Sequence, residues 1–164
     1  MRVRRAQLED VSGIAEVHVR TWQAAYEHVF GAERLARIDP AARERMARRV
    51  VEGDEFDVFV AEDDDGVAGF VTTGPPEAEA ETRRELYAIY VLPRAWGTGA
   101  GHALMQAATD AMRERGEPEA ILWVLEDNPR ARTFYEREGW TVDGQAEMQY
   151  LGVTVAVVRY AIRL

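Results

Sequence analysis

The sequence predicts a single α/β (α+β) domain built on a mixed, mostly antiparallel sheet of about seven strands flanked by helices. Three features carry that expectation. Phe56 to Ala61 and Val67 to Val71 flank the tip Glu62-Asp63-Asp64-Asp65-Gly66, whose Asp-Gly step marks an antiparallel hairpin. Glu85 to Leu92, Gly101 to Arg115 and Ala120 to Leu125 read as strand, helix and strand, a right-handed crossover between two parallel strands. Trp140 to Asp143 and Val153 to Arg163 add two alternating strands around a turn at Leu151-Gly152. At 164 residues and 47% hydrophobic content, the chain matches one domain spanning 1–164 with one substantial core.

The remaining elements follow in order. Val3 to Arg5 reads as an opening strand, and Asp10 as the N-cap of a helix with Ile14, Val17, His18, Thr21 and Trp22 at helical spacing. A second helical stretch follows. Asp39-Pro40 opens another helix over Ala41 to Val51, closed by Gly53. Gly74-Pro75-Pro76 through Arg84 is acidic and poor in large apolar residues, which marks a loop. The crossover helix turns Leu104, Ala108, Ala111 and Met112 inward, Ala120 to Leu125 is an apolar interior strand, and Asn128 to Glu138 is a short helix. No repeat or linker interrupts the chain.

Absences narrow the chemistry. There is no cysteine and no lysine, which removes a thiol nucleophile, a Schiff base and the lysine of a P-loop. Ser12, the only serine, lies in a helical stretch without a Gly-x-Ser-x-Gly elbow, so a serine hydrolase is not expected. His18, His28 and His102 lack the spacing of a metal site, and none is predicted. Twenty basic residues against 29 acidic ones give a net charge of −9, which argues against nucleic acid and mildly for cationic partners. No stretch reaches the roughly 18 apolar residues of a membrane span, and Met1-Arg2-Val3-Arg4-Arg5 does not begin a signal peptide, so no membrane partner and a cytoplasmic location are expected.

Two motifs carry chemistry. Val91-Leu92-Pro93-Arg94-Ala95-Trp96-Gly97-Thr98-Gly99-Ala100-Gly101-His102 runs from a strand through a glycine-rich turn into a helix. Such a turn points successive N–H groups inward and adds the positive end of the helix dipole, which suits a pyrophosphate. His102 stands where a dinucleotide fingerprint would have its third glycine, and a plain structural turn is the competing reading. The second motif is Asn128-Pro129-Arg130-Ala131-Arg132-Thr133-Phe134-Tyr135-Glu136-Arg137-Glu138-Gly139-Trp140. Its Ala131, Phe134 and Tyr135 share one helical face and read equally as core.

In this order, about 30 residues apart, the two motifs resemble the GNAT superfamily of acetyl-coenzyme A-dependent N-acetyltransferases, and the resemblance covers essentially the whole chain. The pattern Asn-x-x-Ala-x-x-Phe-Tyr-x-x-x-Gly-aromatic is met in full from Asn128 to Trp140. The pattern of arginine or glutamine, two residues, Gly-x-Gly falls on Trp96 and Gly99-Ala100-Gly101; a register starting at Arg94 ends instead on Gly99. Trp22 and Tyr26 after Val17-His18, and Arg159-Tyr160, are weaker marks of a bacterial branch. The resemblance implies strands 4 and 5 splayed at a cofactor site. It implies that Ile89, Tyr90 and Val91 meet the pantetheine arm, that Trp96, Gly97, Thr98, Gly99, Ala100, Gly101 and His102 take the pyrophosphate, and that Asn128 contacts the cofactor. Arg132, one turn after Asn128, is expected to reach a phosphate or to be a surface arginine, and Tyr135 to stand at the thioester sulfur as general acid.

With no cysteine and no candidate serine, direct attack of an amine on acetyl-coenzyme A is the economical mechanism. Alkyl amines titrate near the lysine reference of about 10.4, so a proton must be removed, and Glu85 and Tyr87 are the candidates, acting directly or through water. Strand alternation places Glu85, Tyr87 and Ile89 on one face. Trp22 and Tyr26, with Tyr87, are expected to border a small-molecule or peptide amine, and Glu77, Glu79, Glu81 and Glu85 to favour a cationic one. A homodimer is an assembly that the sequence leaves open. The alternative is a non-catalytic acyl-coenzyme A sensor of the same fold.

Overall fold

The computed structural model describes residues 1–164. Seven strands form one sheet in the order β1-β2-β3-β4-β5-β7-β6, where β1 is Arg2–Arg5, β2 Asp57–Asp63, β3 Gly66–Gly74, β4 Arg84–Val91, β5 Glu119–Leu125, β6 Thr141–Tyr150 and β7 Val153–Arg163. Every neighbouring pair is antiparallel except β4 and β5. Helices cover both faces: α1 (Val11–Ala25), α2 (Glu27–Phe30), α3 (Ala32–Ala36) and α4 (Pro40–Glu52) precede the hairpin, α5 (Ala100–Glu114) makes the crossover, and α6 (Pro129–Arg137) follows β5.

The apolar residues sort onto two faces. Leu104, Met105, Ala108 and Met112 of α5 pack with Val71, Leu86 and Leu122 on one side, while Val11, Ile14 and Val17 of α1 and Ala47 of α4 pack with Val58, Val60 and Phe70 on the other. Asp57, the buried first residue of β2, is held by Arg5, Arg84 and Arg115 and ties the end of β1 and the start of β4 to the residue that follows α5. No helix is long and apolar enough to cross a membrane.

Several local expectations change. Asp10 precedes α1 without capping it, because Arg4 takes both its carboxylate oxygens at 2.7 and 2.9 Å and the Gln7 N–H adds a third contact. The second helical stretch is two short helices, broken at Gly31. The strand expected at Trp140 to Asp143 is the ten-residue β6, whose polar sequence reflects an edge strand largely exposed on both faces. In α4, Asp39 does cap as expected, accepting from the Ala41 N–H at 3.0 Å.

Two irregularities shape the centre of the sheet. β4 and β5 pair only at Arg84↔Ala120, Glu85↔Ile121 and Leu86↔Leu122, and then part, although both strands continue. Between the pairs Thr72↔Ala88 and Thr73↔Leu86, Tyr87 is an extra residue, a β-bulge. The bulge overturns the simple alternation. Ile89 falls in with Leu86 on the α5 face, while Glu85 lies on the opposite face with Ala88 and Tyr90, and Tyr87 packs there against Phe56 at 6.1 Å.

Candidate active site

The parting of β4 and β5 leaves backbone groups without strand partners. Leu92 N–H donates to the Ala68 carbonyl, so the antiparallel parity with β3 turns the groups of Ile89 and Val91 toward the β5 side. There the Val91 carbonyl accepts the Trp96 indole N–H at 2.8 Å. Ile89 keeps its own groups facing the gap.

The glycine-rich turn ends in Gly99, at φ 88°, as the left-handed N-cap of α5. A Cβ at Gly97 or Gly99 would meet nothing within 4 Å, so the turn is open above rather than packed. Of the N–H groups from Gly97 to His102, only that of Ala100 finds an acceptor, the Thr98 hydroxyl at 3.4 Å. Five donors at the head of a fifteen-residue helix therefore face outward together. This arrangement fits the pyrophosphate of a coenzyme A.

Helix α6 meets this turn along one edge. Arg130 lays its guanidinium 3.3 Å from the Trp96 ring centre, Phe134 lies at 3.4 Å from a Cβ built at Gly101, and Glu138 sits 3.0 Å from His102 Nδ1. Asn128 caps the helix through Ala131 N–H at 3.1 Å and donates to the Tyr26 hydroxyl at 3.0 Å, so its amide braces the wall of the gap. The helix ends with Gly139 N–H on the Glu136 carbonyl and Trp140 N–H on the Tyr135 carbonyl. That closure needs the left-handed φ of 92° at Gly139, the physical content of Gly-aromatic in the motif. Arg132 does not turn toward the glycine-rich turn. It donates to the Tyr160 hydroxyl and the Glu126 carbonyl, bracing α6 on β7.

Tyr135 is 7% exposed and its hydroxyl has no hydrogen-bond partner. Burial raises its pKa, with the nearby Tyr90 and Tyr26 hydroxyls adding to the shift. A phenol with a raised pKa and no partner in the chain holds its proton until an acceptor arrives.

On the opposite face, Glu85 is also 7% exposed. Its neighbours leave it without a cation: Arg83 is spent on Glu81 and Asp143, and Arg84 on Asp57 and the Glu55 carbonyl. Burial raises the Glu85 pKa, opposed by the Glu77 N–H it accepts at 3.0 Å and reinforced by the charges of Glu77 and Glu81. Glu81 behaves oppositely, held down to about 2 chiefly by its hydrogen bonds from Arg83. Tyr87 donates to the Pro75 carbonyl, and burial beside Glu85 pushes it up to about 12. Trp22 packs against Tyr26 at 5.0 Å and Tyr150 at 5.9 Å, while His18 packs against Tyr90 at 5.2 Å. Burial, with Arg43 nearby, lowers His18 to about 4, so it is neutral near pH 7.

The profile of the acetyltransferase (GNAT) family matches residues 14–140. The chain belongs to the GNAT acetyltransferases. Among curated relatives, the Bacillus subtilis N-acetyltransferase YuaI is 36% identical over 130 residues, covering 77% of this chain and 73% of that protein. A Streptomyces griseus mycothiol acetyltransferase is 40% identical over 84 residues, 51% of this chain and 26% of that longer protein. Among solved structures, the PaiA N-acetyltransferase of Thermoplasma acidophilum, in complex with coenzyme A, superposes with a TM-score of 0.79 at 18% identity, covering 96% of each chain. The ribosomal-protein-alanine N-acetyltransferase of Brucella melitensis gives 0.79 at 22% identity over 100% of each. The fold of this GNAT chain is thus the one that holds coenzyme A in its structural neighbours.

Of the motif residues, Tyr135 and Ile89 share the α5-side cluster and Asn128 reaches Tyr26, Gly99 stands apart at the head of α5, and Glu85, Trp22, Tyr26 and Tyr87 lie across the sheet from α5. Sequence reasoning missed Arg130, Tyr150 and the half-buried His18. Arg130 had a readable signal, since it sits one helical turn before Phe134.

Proposed function

We propose that this GNAT chain transfers an acetyl group from acetyl-coenzyme A to an amine by direct attack, both substrates being held at once across the gap between β4 and β5. The observation that supports this reading is a buried phenol without a partner, Tyr135, packed on the α5 side, together with a buried carboxylate without a paired cation, Glu85, on the opposite face of β4 in the last paired stretch before β4 and β5 part. The turn at 97–102 would hold the pyrophosphate through its outward N–H groups, and Ile89 would pair with the pantetheine amide as one strand pairs with another. Acetyl-coenzyme A supplies an acetyl carbon activated as a thioester.

Glu85 takes the proton that the acceptor ammonium must lose before its nitrogen can attack, directly or through a water. As the N–C bond forms and the C–S bond breaks, the Tyr135 hydroxyl gives its proton to the departing sulfur. The proton that the new amide nitrogen then sheds returns through water to the phenolate, while Glu85 releases its own proton to solvent. Burial makes that phenol a weaker acid, but a thiolate leaving beside the same buried ring is made more basic by the same partial loss of solvation. The acceptor side combines the Trp22, Tyr26 and Tyr150 rings with Glu77 and Glu85, which favours a cationic amine. Glu81, expected to join that acidic border, is paired with Arg83 and Arg159 instead.

Release of free thiol from acetyl-coenzyme A, measured across polyamines, aminoglycosides, amino acids and peptide N-termini, tests the proposal. Acceptor-dependent release is expected with at least one cationic amine. Tight cofactor binding with no release for any acceptor would overturn transfer and leave a sensor.

A further inference from the structure

Trp96 occupies the position where the family pattern has arginine or glutamine, and its surroundings show how the chain accommodates that change. The indole is fixed by its N–H on the Val91 carbonyl, and the Arg130 guanidinium lies 3.3 Å from its ring centre. A stacked guanidinium keeps its in-plane N–H donors free, and Arg130 makes no hydrogen bond or ion pair within the chain. That is an unusual place for a free cation. Arg130 lies in the first turn of α6, where the helix dipole disfavours positive charge, in a molecule of net charge −9 that offers many carboxylates as partners. The same helix touches Gly101 through Phe134 and His102 through Glu138, so α6 runs along the turn that bears the five free N–H groups, with Arg130 on the ring of the residue that precedes Gly97.

We propose that Arg130, held flat on Trp96, is a phosphate-binding residue for coenzyme A and returns to this turn the cation that Trp96 displaces from the motif. The inference rests on the reading of residues 97–102 as the pyrophosphate site. Trp96 is the positioning residue: the ring orients the guanidinium, and the indole N–H orients the ring. Both the pyrophosphate and the 3′-phosphate offer the anionic oxygens that a planar fork recognises.

Calorimetric binding of acetyl-coenzyme A, 3′-dephospho-coenzyme A and S-acetylpantetheine to the parent chain, Arg130→Gln and Arg137→Gln tests it. Arg137 lies on the same helix without an ion pair, so its variant matches the change in charge alone. Arg130→Gln is expected to weaken acetyl-coenzyme A by about tenfold or more, the usual scale for a hydrogen bond to a charged group, with S-acetylpantetheine unaffected and Arg137→Gln like the parent. Persistence of the loss with 3′-dephospho-coenzyme A places the contact on the pyrophosphate, and its disappearance places it on the 3′-phosphate. Equal affinity of Arg130→Gln and the parent for acetyl-coenzyme A overturns the role of Arg130 and leaves the turn as the site. A folded parent that binds no acetyl-coenzyme A overturns the reading of the turn as well.

Discussion

The two sides of the gap, one proposed for the cofactor and the other for the acceptor, are built from different materials. On the α5 side, the groups that face outward are mostly backbone: the N–H groups of 97–102 and the free edge of Ile89. On the α1 side they are side chains brought from four separate stretches: Trp22 and Tyr26 from α1 and its end, Glu77 from the loop, Glu85 and Tyr87 from β4, and Tyr150 from the β6–β7 hairpin. Backbone geometry is set by glycine placement, capping and helix closure within a short run of sequence. A side-chain wall can be rebuilt residue by residue without disturbing that frame. The first arrangement suits a ligand that never changes, and the second an acceptor that differs among relatives of one fold.

The strongest way to break that contrast is at the gap itself. Tyr135→Phe removes one hydroxyl that has no partner in the resting chain, so thermal stability and cofactor affinity should hold while turnover falls by roughly 10²–10⁴-fold, the scale of a lost general acid. Pre-steady-state thiol release checks it. A Phe variant with the parental chemical rate would reduce Tyr135 to packing and pass the proton to water.

Glu85→Gln is next in size, with a turnover loss expected on the order of 10²-fold. Its signs are separable. A carboxyl whose folded pKa is raised stabilises the fold below its unfolded value and loses that contribution as pH rises through the folded value, so at neutral pH the charged Glu85 is a burden. The amide keeps an acceptor for the Glu77 N–H and sheds the charge. Thermal melts at pH 7 should show Glu85→Gln at least as stable as the parent. The parent's activity should decline on acidification at a pH above the ordinary carboxylate range, and a profile flat down to pH 4 would remove Glu85 as the base.

The same contrast explains what the sequence made legible. The order of strands, the parallel β4–β5 pair and both motifs were readable, because turn residues, caps and hydrophobic period act locally. The bulge at Tyr87 was not: a period of two gives no warning of an inserted residue, and it moved Ile89 to the opposite face from Glu85. β6 looked short because an edge strand has no apolar face to announce it. Arg132 was expected either at a phosphate or as a surface arginine, because its spacing from Asn128 cannot tell the β7-facing edge of α6 from the edge facing the turn. Tyr150 was invisible because its neighbour Trp22 lies more than a hundred residues away in sequence.

Gly99→Val sharpens the comparison from the cofactor side. A β-branched residue at φ 88° carries strain on the order of 1–3 kcal/mol, which the turn relieves only by changing the direction of its N–H groups. Acetyl-coenzyme A affinity should weaken by about tenfold, since 1.4 kcal/mol corresponds to that factor, while the acceptor KM at saturating cofactor stays near the parental value. An unchanged dissociation constant in a folded variant would show that the turn does not hold the pyrophosphate.

An effect of similar size, confined to acceptor binding, should come from the acceptor wall. Tyr150 is half-buried on the β6–β7 hairpin, packs against Trp22 at 5.9 Å and spends its hydroxyl on the Met148 sulfur at 3.4 Å, so its ring faces the acceptor side without a structural hydrogen bond to lose there. Burial raises its pKa and the charges of Glu77 and Glu85 add to the shift, which places the ring in the field that would attract a cationic amine. A cation stacked on such a ring gains about 0.5–2 kcal/mol, or roughly 2- to 30-fold in affinity. Tyr150→Ala should therefore raise the KM of a cationic acceptor within that range, with cofactor affinity unchanged and kcat little altered, whereas Tyr150→Phe, which keeps the ring, should stay close to the parent. The KM increase should shrink for a neutral analogue of the same shape. An Ala variant that affects charged and neutral acceptors equally would show that Tyr150 contributes surface alone, and that the cationic preference resides in Glu77 and Glu85.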